Sequence, residues 1–337
     1  MDPFISVIVV SYNYEKFLPR ALNACANQTF KDYEIIIVDN GSTDNTQEVI
    51  AQFCREYPEL RITVLKVDIN IGPANGYNTG ITAAAGTYIM FNDADDWMDV
   101  DCLESLSIKA KMTEADRVFG LYREIDKEGK LIRNVIFEKG MSYWLYLEFQ
   151  GSIFRRSVFL EHNIFAPLYI GLQVDVYIGS KFLQYSKKNT WCNKIIYNYL
   201  INTHSTSGAK SGTNSLDQTI VQFGIFMPIY NDIKDKNIQE EIEYRLIKMY
   251  YFILFHYNRY NTYAETLNNY KSSKEIIQKY FPQYLLCKRL SLFRKNGDRK
   301  NGRRMTWFFS RLEKHHLMEL FLKFYTFLSR FMYLHLR

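Results

Sequence analysis

Three carboxylates stand within four residues, at Asp93, Asp95 and Asp96, directly after the apolar run Thr87–Phe91. Like charges this close repel one another, and a cation among them relieves the repulsion. Hard oxygen ligands at positions i and i+2 suit Mg²⁺ or Mn²⁺, especially an ion that already carries phosphate oxygens. The structural alternative is an acidic turn that caps the helix predicted to begin near Asp101.

Two other polar groups follow apolar runs nearer the N terminus. Ser11–Asn13 follows the run Ile5–Val10, and Asp39–Asp44 follows the run Tyr33–Val38. An aromatic ring beside a fixed carboxylate can stack on a nucleobase while the carboxylate accepts a hydrogen bond from the imide N–H of the base. The structural alternative is that the acids of the second group only cap a helix.

The order of the apolar runs predicts the elements that position these polar groups. Strand patterns alternate with helical ones, the strands at 5–10, 33–38, 62–67 and 87–91 and the helices at 15–28, 44–57 and 72–85. This alternation is typical of an α/β fold, a Rossmann-like mostly parallel sheet with helices on both faces. Ligands of such sheets bind beyond the carboxyl ends of the strands, so we expect the three polar groups to share one edge.

The pattern changes along the second half of the chain. Further strands are predicted at 117–125, 131–137 and 194–201, with a helix at 173–185 and a polar loop at 202–214. Long helical patterns rich in Tyr, Phe, Ile and Lys follow. We therefore expect a catalytic domain over residues 1–215 and a helical region over residues 216–337.

Composition excludes several classes of protein. The chain has 337 residues, 47% apolar and 23% charged, which argues against disorder. Its five cysteines are scattered, which argues against a zinc cluster or a disulfide framework and for a reducing compartment. We expect neither a signal peptide nor a membrane-spanning helix. No G-x-G-x-x-G follows a strand, which excludes a Rossmann dehydrogenase.

Charge is divided unevenly along the chain. Residues 285–337 contain 13 Lys and Arg against 3 Asp and Glu, a charge of +10, so the rest carries −4 to give the net +6. From Met305 onward the polar residues recur every three or four positions and the others are mostly apolar or aromatic. Such a helix suits an anionic membrane surface, and it suits equally packing on the catalytic domain or on a second copy in a homo-oligomer. We expect no nucleic-acid partner.

Four segments carry a resemblance to a known family: VIVVSYN (7–13), QTFKDYEIIIVDNGSTDNT (28–46), NIGPANGYNTGI (70–81) and GTYIMFNDADD (86–96). In this order and spacing they resemble the inverting family 2 glycosyltransferases of the GT-A fold, which assemble bacterial cell-surface polysaccharides. The match is specific over about the first 100 residues, and a fainter one continues to about residue 208.

The resemblance implies that a nucleoside-diphosphate sugar binds at these strand ends. The residues assigned to it are Val10, Tyr12, Asp39, Asn40, Asn70, Asn78, Asp93 and Asp96. Asn40 stands where the family usually has a second acid, which leaves the base open between uracil and thymine. Tyr77 stands where Arg or Lys is common, so positive charge on the diphosphate must come from elsewhere or from the metal.

The resemblance also implies a metal site and a base. Asp93-Ala94-Asp95 matches the DxD motif, with Asp95 as the direct ligand of Mn²⁺ or Mg²⁺ and His204 as a candidate further ligand, although an isolated loop histidine is often only exposed to solvent. Asp175 matches the base that takes the proton of the acceptor hydroxyl, with Val174 in place of the usual Glu. The structural alternative for Asp175 is a first-turn residue favoured by the helix dipole.

Together these features predict a metal-dependent inverting glycosyltransferase. It would move a sugar from a UDP- or dTDP-type donor to a hydroxyl of a glycan or lipid-linked acceptor, in the cytoplasm or at the inner face of a membrane. One alternative is a non-catalytic nucleotide-sugar-binding or scaffold protein, because Val174 and Asn40 depart from the pattern. The other is a sugar nucleotidyltransferase, although the Gly-rich basic loop of such enzymes is replaced here by SYNYEKF.

Overall fold

The computed structural model describes residues 2–137, 142–168, 173–201, 215–258, 261–293, 298 and 300–335. The chain divides into two compact units. One comprises Met1–Glu138 with Leu147–Ala209, and the other comprises Lys139–Tyr146 with Lys210–Arg337. We call them the sheet unit and the helical unit. The predicted domain boundary after residue 215 stays a prediction.

A mixed sheet forms the centre of the sheet unit. Its strands in the described residues are β1 Ile5–Ser11, β2 Tyr33–Asp39, β3 Ile62–Lys66, β4 Tyr88–Asp93, β5 Trp97–Met98, β6 Arg117–Ile125, β7 Leu131–Val135, β8 Ser152–Arg155 and β9 Asn189–Leu200. They lie in the order β3-β2-β1-β4-β8-β6-β9-β5, and β7 pairs with β6. The first four are mutually parallel, as predicted.

Antiparallel pairs and one further parallel pair, between β6 and β9, complete the sheet. Strand β8 lies antiparallel between β4 and β6, and β5 pairs antiparallel with β9. Neither β5 nor β8 was predicted, because two and four residues are too few to show an alternating pattern. The predicted α/β class, with helices on both faces of the sheet, is confirmed.

Helices cover both faces of this sheet. They are α1 Leu18–Ala26, α2 Thr46–Glu56, α3 Pro73–Ala83, α4 Cys102–Thr113, α5 Arg156–Glu161 and α6 Val174–Tyr185. On one face Ile5, Val7 and Val9 of β1 join a buried cluster with residues of α1, α2 and α4. On the other face α3 packs on β1 and β2, and a Cβ on Gly80 would lie 2.4 Å from Cγ2 of Ile8. Small residues therefore let α3 approach the sheet closely.

The helical unit contains α7 Ser215–Asp232, α8 Lys236–Tyr257, α9 Tyr263–Tyr280, α10 Lys300–Lys314 and α11 Met318–His335. Thr262 and Glu265 form a reciprocal capping box at the start of α9, which satisfies backbone donors that a helix leaves unpaired. In the part of the chain that the structure describes, no helix is apolar over enough residues to cross a membrane.

Candidate active site

The polar groups that follow β1, β2 and β4 meet at one edge of the sheet. Ser11 at the end of β1 lies opposite Asp39 at the end of β2, and Val10 lies opposite Asp93 at the end of β4. Because these strands are parallel, their carboxyl ends point in the same direction. The parallel order thus brings together residues that are far apart in sequence.

A cavity of about 450 Å³ opens at this edge. Seven of the predicted site residues line it: Val10, Tyr12, Asn40, Asn70, Asp93, Asp95 and Asp175. The described lining is completed by Tyr14, Gly72, Pro73, Tyr77, Ala94, Gln150, Val174 and Tyr199. Tyr12 is 41% exposed, so part of its side chain is accessible to a ligand.

Reciprocal hydrogen bonds join the loops after β1 and β2. The backbone N–H of Asn13 donates to Oγ of Ser42 at 3.0 Å, and the N–H of Thr43 donates to Oδ1 of Asn13 at 2.8 Å. Asn13 adopts φ of +57°, a left-handed conformation that Asn tolerates better than most residues. These bonds fix the backbone directly after Tyr12, whose side chain lines the cavity.

Asp93 and Asp95 lie on the cavity wall with their charges close together. The phenol of Tyr77 donates to Oδ1 of Asp93 at 2.5 Å. Burial, followed by the charge of Asp93, raises the pKa of Asp95 to about 7. Burial also raises the pKa of Asp93, while the hydrogen bond from Tyr77 opposes that rise. A pair of carboxylates in this state favours a bound cation.

Asp96 lies outside the lining of the cavity. Its side chain is fully buried and accepts hydrogen bonds from the N–H of Leu200 at 2.8 Å and the phenol of Tyr197 at 3.0 Å. Both partners belong to β9. Asp96 therefore joins the turn after β4 to β9, and its contact with the donor stays a prediction.

Asp39 also lies behind the cavity wall. It is buried, and its Oδ1 accepts the N–H of Ser42 at 2.9 Å, while Oδ2 has no hydrogen-bond partner among the described residues. In the loop that follows, Gly41 adopts φ of +82° and lies so close to Asn70 that a Cβ on it would be 2.7 Å from the backbone nitrogen of Asn70. Contact between Asp39 and a base stays a prediction.

Asn40 and Asn70 form one hydrogen-bonded wall of the cavity. Nδ2 of Asn40 donates to the backbone oxygen of Gly72 at 3.1 Å, and the N–H of Gly72 donates to Oδ1 of Asn70 at 2.7 Å. Oδ1 of Asn40 is buried without a hydrogen-bond partner in the described ranges. An amide oxygen in that state is an acceptor for a ligand N–H or O–H.

Asn78 is not brought to the cavity. Its amide makes two hydrogen bonds with the backbone of Ala166, from Nδ2 to the oxygen at 2.8 Å and from the N–H of Ala166 to Oδ1 at 2.9 Å. The side chain is therefore engaged in joining α3 to the segment that precedes α6. The contact of Asn78 with sugar or phosphate stays a prediction.

Asp175 reaches the same cavity from α6. It occupies the first turn of that helix, and its Oδ1 accepts the N–H of Val176 at 2.7 Å.

The fully buried guanidinium of Arg117 stacks 3.8 Å from the ring centroid of Phe119 and donates to the backbone oxygen of Glu148 at 2.6 Å. Arg117 thereby orders the segment that leads to Gln150 in the cavity wall.

The family model described as Glycosyl transferase family 2 matches residues 6–176, just over half of the chain. The chain belongs to glycosyltransferase family 2.

Relatives and solved structures agree with that assignment. Glycosyltransferase GlyA of Streptococcus pneumoniae is 31% identical over 61% of this chain, which spans only 32% of that relative. The GalNAc(5)-diNAcBac-PP-undecaprenol beta-1,3-glucosyltransferase of Campylobacter jejuni is 26% identical over 80% of this chain and 85% of its own. The crystal structure of S. aureus TarS 1–349 in complex with UDP-GlcNAc superposes with a TM-score of 0.71 at 17% identity, covering 96% of this chain and 90% of that one. The fold is thus GT-A, and the chain is a glycosyltransferase enzyme.

Several cavity residues of this glycosyltransferase were not predicted. Tyr14, Gln150 and Tyr199 come from the first loop, the segment before β8 and the end of β9, and no local pattern marks them. Tyr77 did carry a signal, because it replaces a common cation. In the structure the ring of Tyr77 packs against Phe91 and Phe149, and its hydroxyl donates a hydrogen bond to Asp93. A neutral phenol thus stands where the family commonly has a cationic side chain.

The donor set of the cavity fits a divalent cation. Its described lining contains three carboxylates, Asp93, Asp95 and Asp175, and no Lys, Arg or His. Among the described residues no group of three or more His, Cys, Asp or Glu is arranged to enclose a metal ion. The carboxylates are thus a partial ligand set, to which substrate oxygens would add. His204, the predicted further ligand, lies outside the described residues.

Proposed function

We propose that this glycosyltransferase moves a sugar from a nucleoside-diphosphate sugar, of the UDP or dTDP type, to a hydroxyl of a glycan or lipid-linked glycan, with inversion at the anomeric carbon. The observation that carries the proposal is one cavity that Asp95 lines from the turn after β4 and Asp175 lines from the first turn of α6. A cation site and a general base thereby meet in one space of substrate size.

Donor binding uses the strand ends of the parallel half of the sheet. The exposed ring of Tyr12 stacks on the pyrimidine, and Oδ1 of Asn40 accepts a hydrogen bond from it. Asn70 forms the wall beside the ribose and phosphates. Oδ1 of Asp93 is held by Tyr77, which leaves its second oxygen for a hydroxyl of the ribose or donor sugar.

Asp95, with Asp93 beside it, would hold a Mg²⁺ or Mn²⁺ ion, which when bound neutralises charge on the leaving diphosphate. The lining of the cavity supports a role for such an ion. A diphosphate that enters a space with three carboxylates and no described basic side chain meets repulsion. The phenols of Tyr14 and Tyr199 supply neutral hydrogen-bond donors at the same place.

Asp175 acts as the general base of a single displacement. It accepts the proton of the acceptor hydroxyl while that oxygen forms a bond to the anomeric carbon. The bond between that carbon and the diphosphate oxygen breaks, and its electron pair leaves with the nucleoside diphosphate. Attack from the face opposite the leaving group inverts configuration. One carboxylate suffices here, whereas glycosidases use two.

The acceptor and the place of work are part of the proposal. A related enzyme has a polyprenol-linked acceptor in its name, and the basic, aromatic C-terminal region suits an anionic membrane surface. We infer a glycan or lipid-linked acceptor that is used in the cytoplasm or at the inner face of a membrane, and a role in polysaccharide assembly. The comparisons favour the transferase over the scaffold and nucleotidyltransferase alternatives, because family and relatives alike are glycosyltransferases.

The proposal is tested with a panel of nucleotide sugars and Mn²⁺ or Mg²⁺, scored by protection against thermal unfolding and then by transfer. One donor is expected to protect the protein in a metal-dependent manner. Asp175→Asn should keep that protection and lose transfer at least about 1,000-fold, because a base contributes chemistry and not donor affinity. Asp32→Asn on the exposed surface is the matched control. Undiminished transfer by Asp175→Asn would overturn the assignment of the base.

A further inference from the structure

An apolar stripe is exposed along α11 of the helical unit and the residue that directly precedes this helix, Leu317. Five residues form it, and their exposed fractions are 47% for Leu317, 68% for Leu320, 58% for Phe324, 67% for Phe327 and 39% for Leu328. Their spacing of three and four residues places them within about 100° of the helix circumference. Met318 and Leu322 on the opposite side are buried in the unit. We call these five residues the α11 stripe.

Helix α10 extends this surface. Met305 is 56% exposed and Phe308 is 43% exposed, and the ring centroid of Phe308 lies 5.8 Å from that of Phe321 on α11. The exposed apolar side chains of the two helices therefore adjoin. Monomeric proteins rarely leave so many large apolar groups together in water, and such patches mark interaction sites.

The charges around this surface are almost entirely positive. Lys300, Arg304, Lys314 and Lys323 of the two helices are exposed. The acids of the same region are withdrawn from the surface: the side chains of Asp298 and Glu313 are completely buried. Glu319 is exposed but lies 3.6 Å from Lys271. The surface is thus more basic than its sequence indicates.

We propose that the α11 stripe and its basic neighbours bind the surface of an anionic lipid bilayer. The stripe enters the interface, and the lysines and arginine contact lipid phosphates. Charge argues against a second copy as the occupant, because two identical basic surfaces repel each other. This proposal deepens the proposed function by naming the surface that holds the enzyme near a lipid-linked acceptor. Bilayer binding itself does not depend on the proposed function, whereas its benefit for catalysis does.

The test is co-sedimentation of the full chain with vesicles of phosphatidylglycerol and phosphatidylcholine, compared with vesicles of phosphatidylcholine alone. Binding is expected to the anionic vesicles and to weaken with added salt. The double variant Leu320→Gln/Phe324→Gln should reduce partitioning at least about tenfold, because apolar side chains drive insertion. Lys314→Glu/Lys323→Glu should reduce binding to anionic vesicles by a similar factor.

Met112→Gln is the matched control, since Met112 is 76% exposed on α4 of the sheet unit. It should bind vesicles as the unaltered chain does. Equal binding to neutral vesicles, or no binding to anionic ones, would overturn the proposal. The proposal would also be overturned if the unaltered chain bound no vesicles but formed a dimer in sedimentation velocity that Leu320→Gln/Phe324→Gln dissociates and Met112→Gln does not. Transfer to a water-soluble acceptor, measured separately, reports on the proposed function alone.

Discussion

The two units of the chain bury carboxylates in contrasting ways. In the helical unit Glu313 accepts hydrogen bonds from the phenols of Tyr250, Tyr251 and Tyr270, and Nζ of Lys274 lies 3.6 Å from it. In the sheet unit Asp95 instead lies beside Asp93, and burial with that second charge raises its pKa to about 7. Its backbone oxygen, and not its carboxylate, accepts the hydrogen bond of Arg20.

This difference separates structural from functional acids. A buried carboxylate whose lone pairs all meet donors stabilises the fold and leaves nothing for a ligand. A carboxylate held close to another one costs stability, and the cost is recovered when a cation or substrate binds. Asp96 combines both situations: Leu200 and Tyr197 donate hydrogen bonds to it, while burial and the charges of Asp95 and Asp93 raise its pKa well above the usual value.

The largest expected effect is on catalysis. Asp95→Asn removes the charge that a cation needs, so we expect transfer to fall at least about 1,000-fold, together with metal-dependent protection by the donor. Steady-state kinetics over a range of Mn²⁺ concentrations measures it. Glu319→Gln, at an exposed acid of the helical unit, should leave both properties unchanged. Full activity of Asp95→Asn would remove the contrast between the units.

The next effect is on stability. Glu313→Ala leaves three phenols and the ammonium of Lys274 without their acceptor, so we expect the free energy of unfolding to fall by about 3–5 kcal/mol. Urea unfolding followed by circular dichroism measures it. Glu319→Ala, whose side chain is 53% exposed, should change it by less than about 0.5 kcal/mol. A small effect at Glu313 would show that the tyrosine cluster is not structural.

Tyr77→Phe should have a smaller effect, which we expect on both catalysis and stability. The variant keeps the ring contacts with Phe91 and Phe149 and loses only the hydrogen bond to Asp93. We expect kcat/KM to fall roughly 10-fold and the free energy of unfolding by about 1 kcal/mol. Tyr280→Phe, at an exposed phenol, is the control. Unchanged kinetics would show that Asp93 needs no positioning by Tyr77.

The smallest effect depends on pH and concerns Glu243 of the helical unit. Unlike Glu313, this acid lies near a second carboxylate, that of Glu240. Burial, and then the charge of Glu240, raises the pKa of Glu243 to about 7 from its ordinary value of 4.5. Its contribution to stability is therefore present below pH 4.5 and is lost as pH rises through 7. Glu243→Gln should match the unaltered chain at pH 4 and exceed it at pH 8 in melting temperature. Parallel curves would contradict this assignment.

The sequence predicted the sheet edge better than the cavity. Apolar runs of five to seven residues at β1, β2 and β4 defined strands, and parallel order then required Tyr12, Asn40 and Asp93 to meet. The hydrogen bonds that Asp96 and Asn78 make could not be predicted, because their partners lie 104 and 88 residues away. A motif identifies candidate side chains, and tertiary contacts decide which of them remain available.

The comparison of free energies of unfolding for Asp95→Asn and Glu313→Gln, measured in the same urea series without metal or donor, tests the central claim most directly. We expect the free energy of unfolding of Asp95→Asn to equal or exceed that of the unaltered chain, because the substitution removes a charge that Asp93 repels. Glu313→Gln should be less stable by about 2 kcal/mol or more, because its bonds to the tyrosine phenols are weakened. Equal destabilisation by both variants would contradict the distinction between a functional and a structural acid.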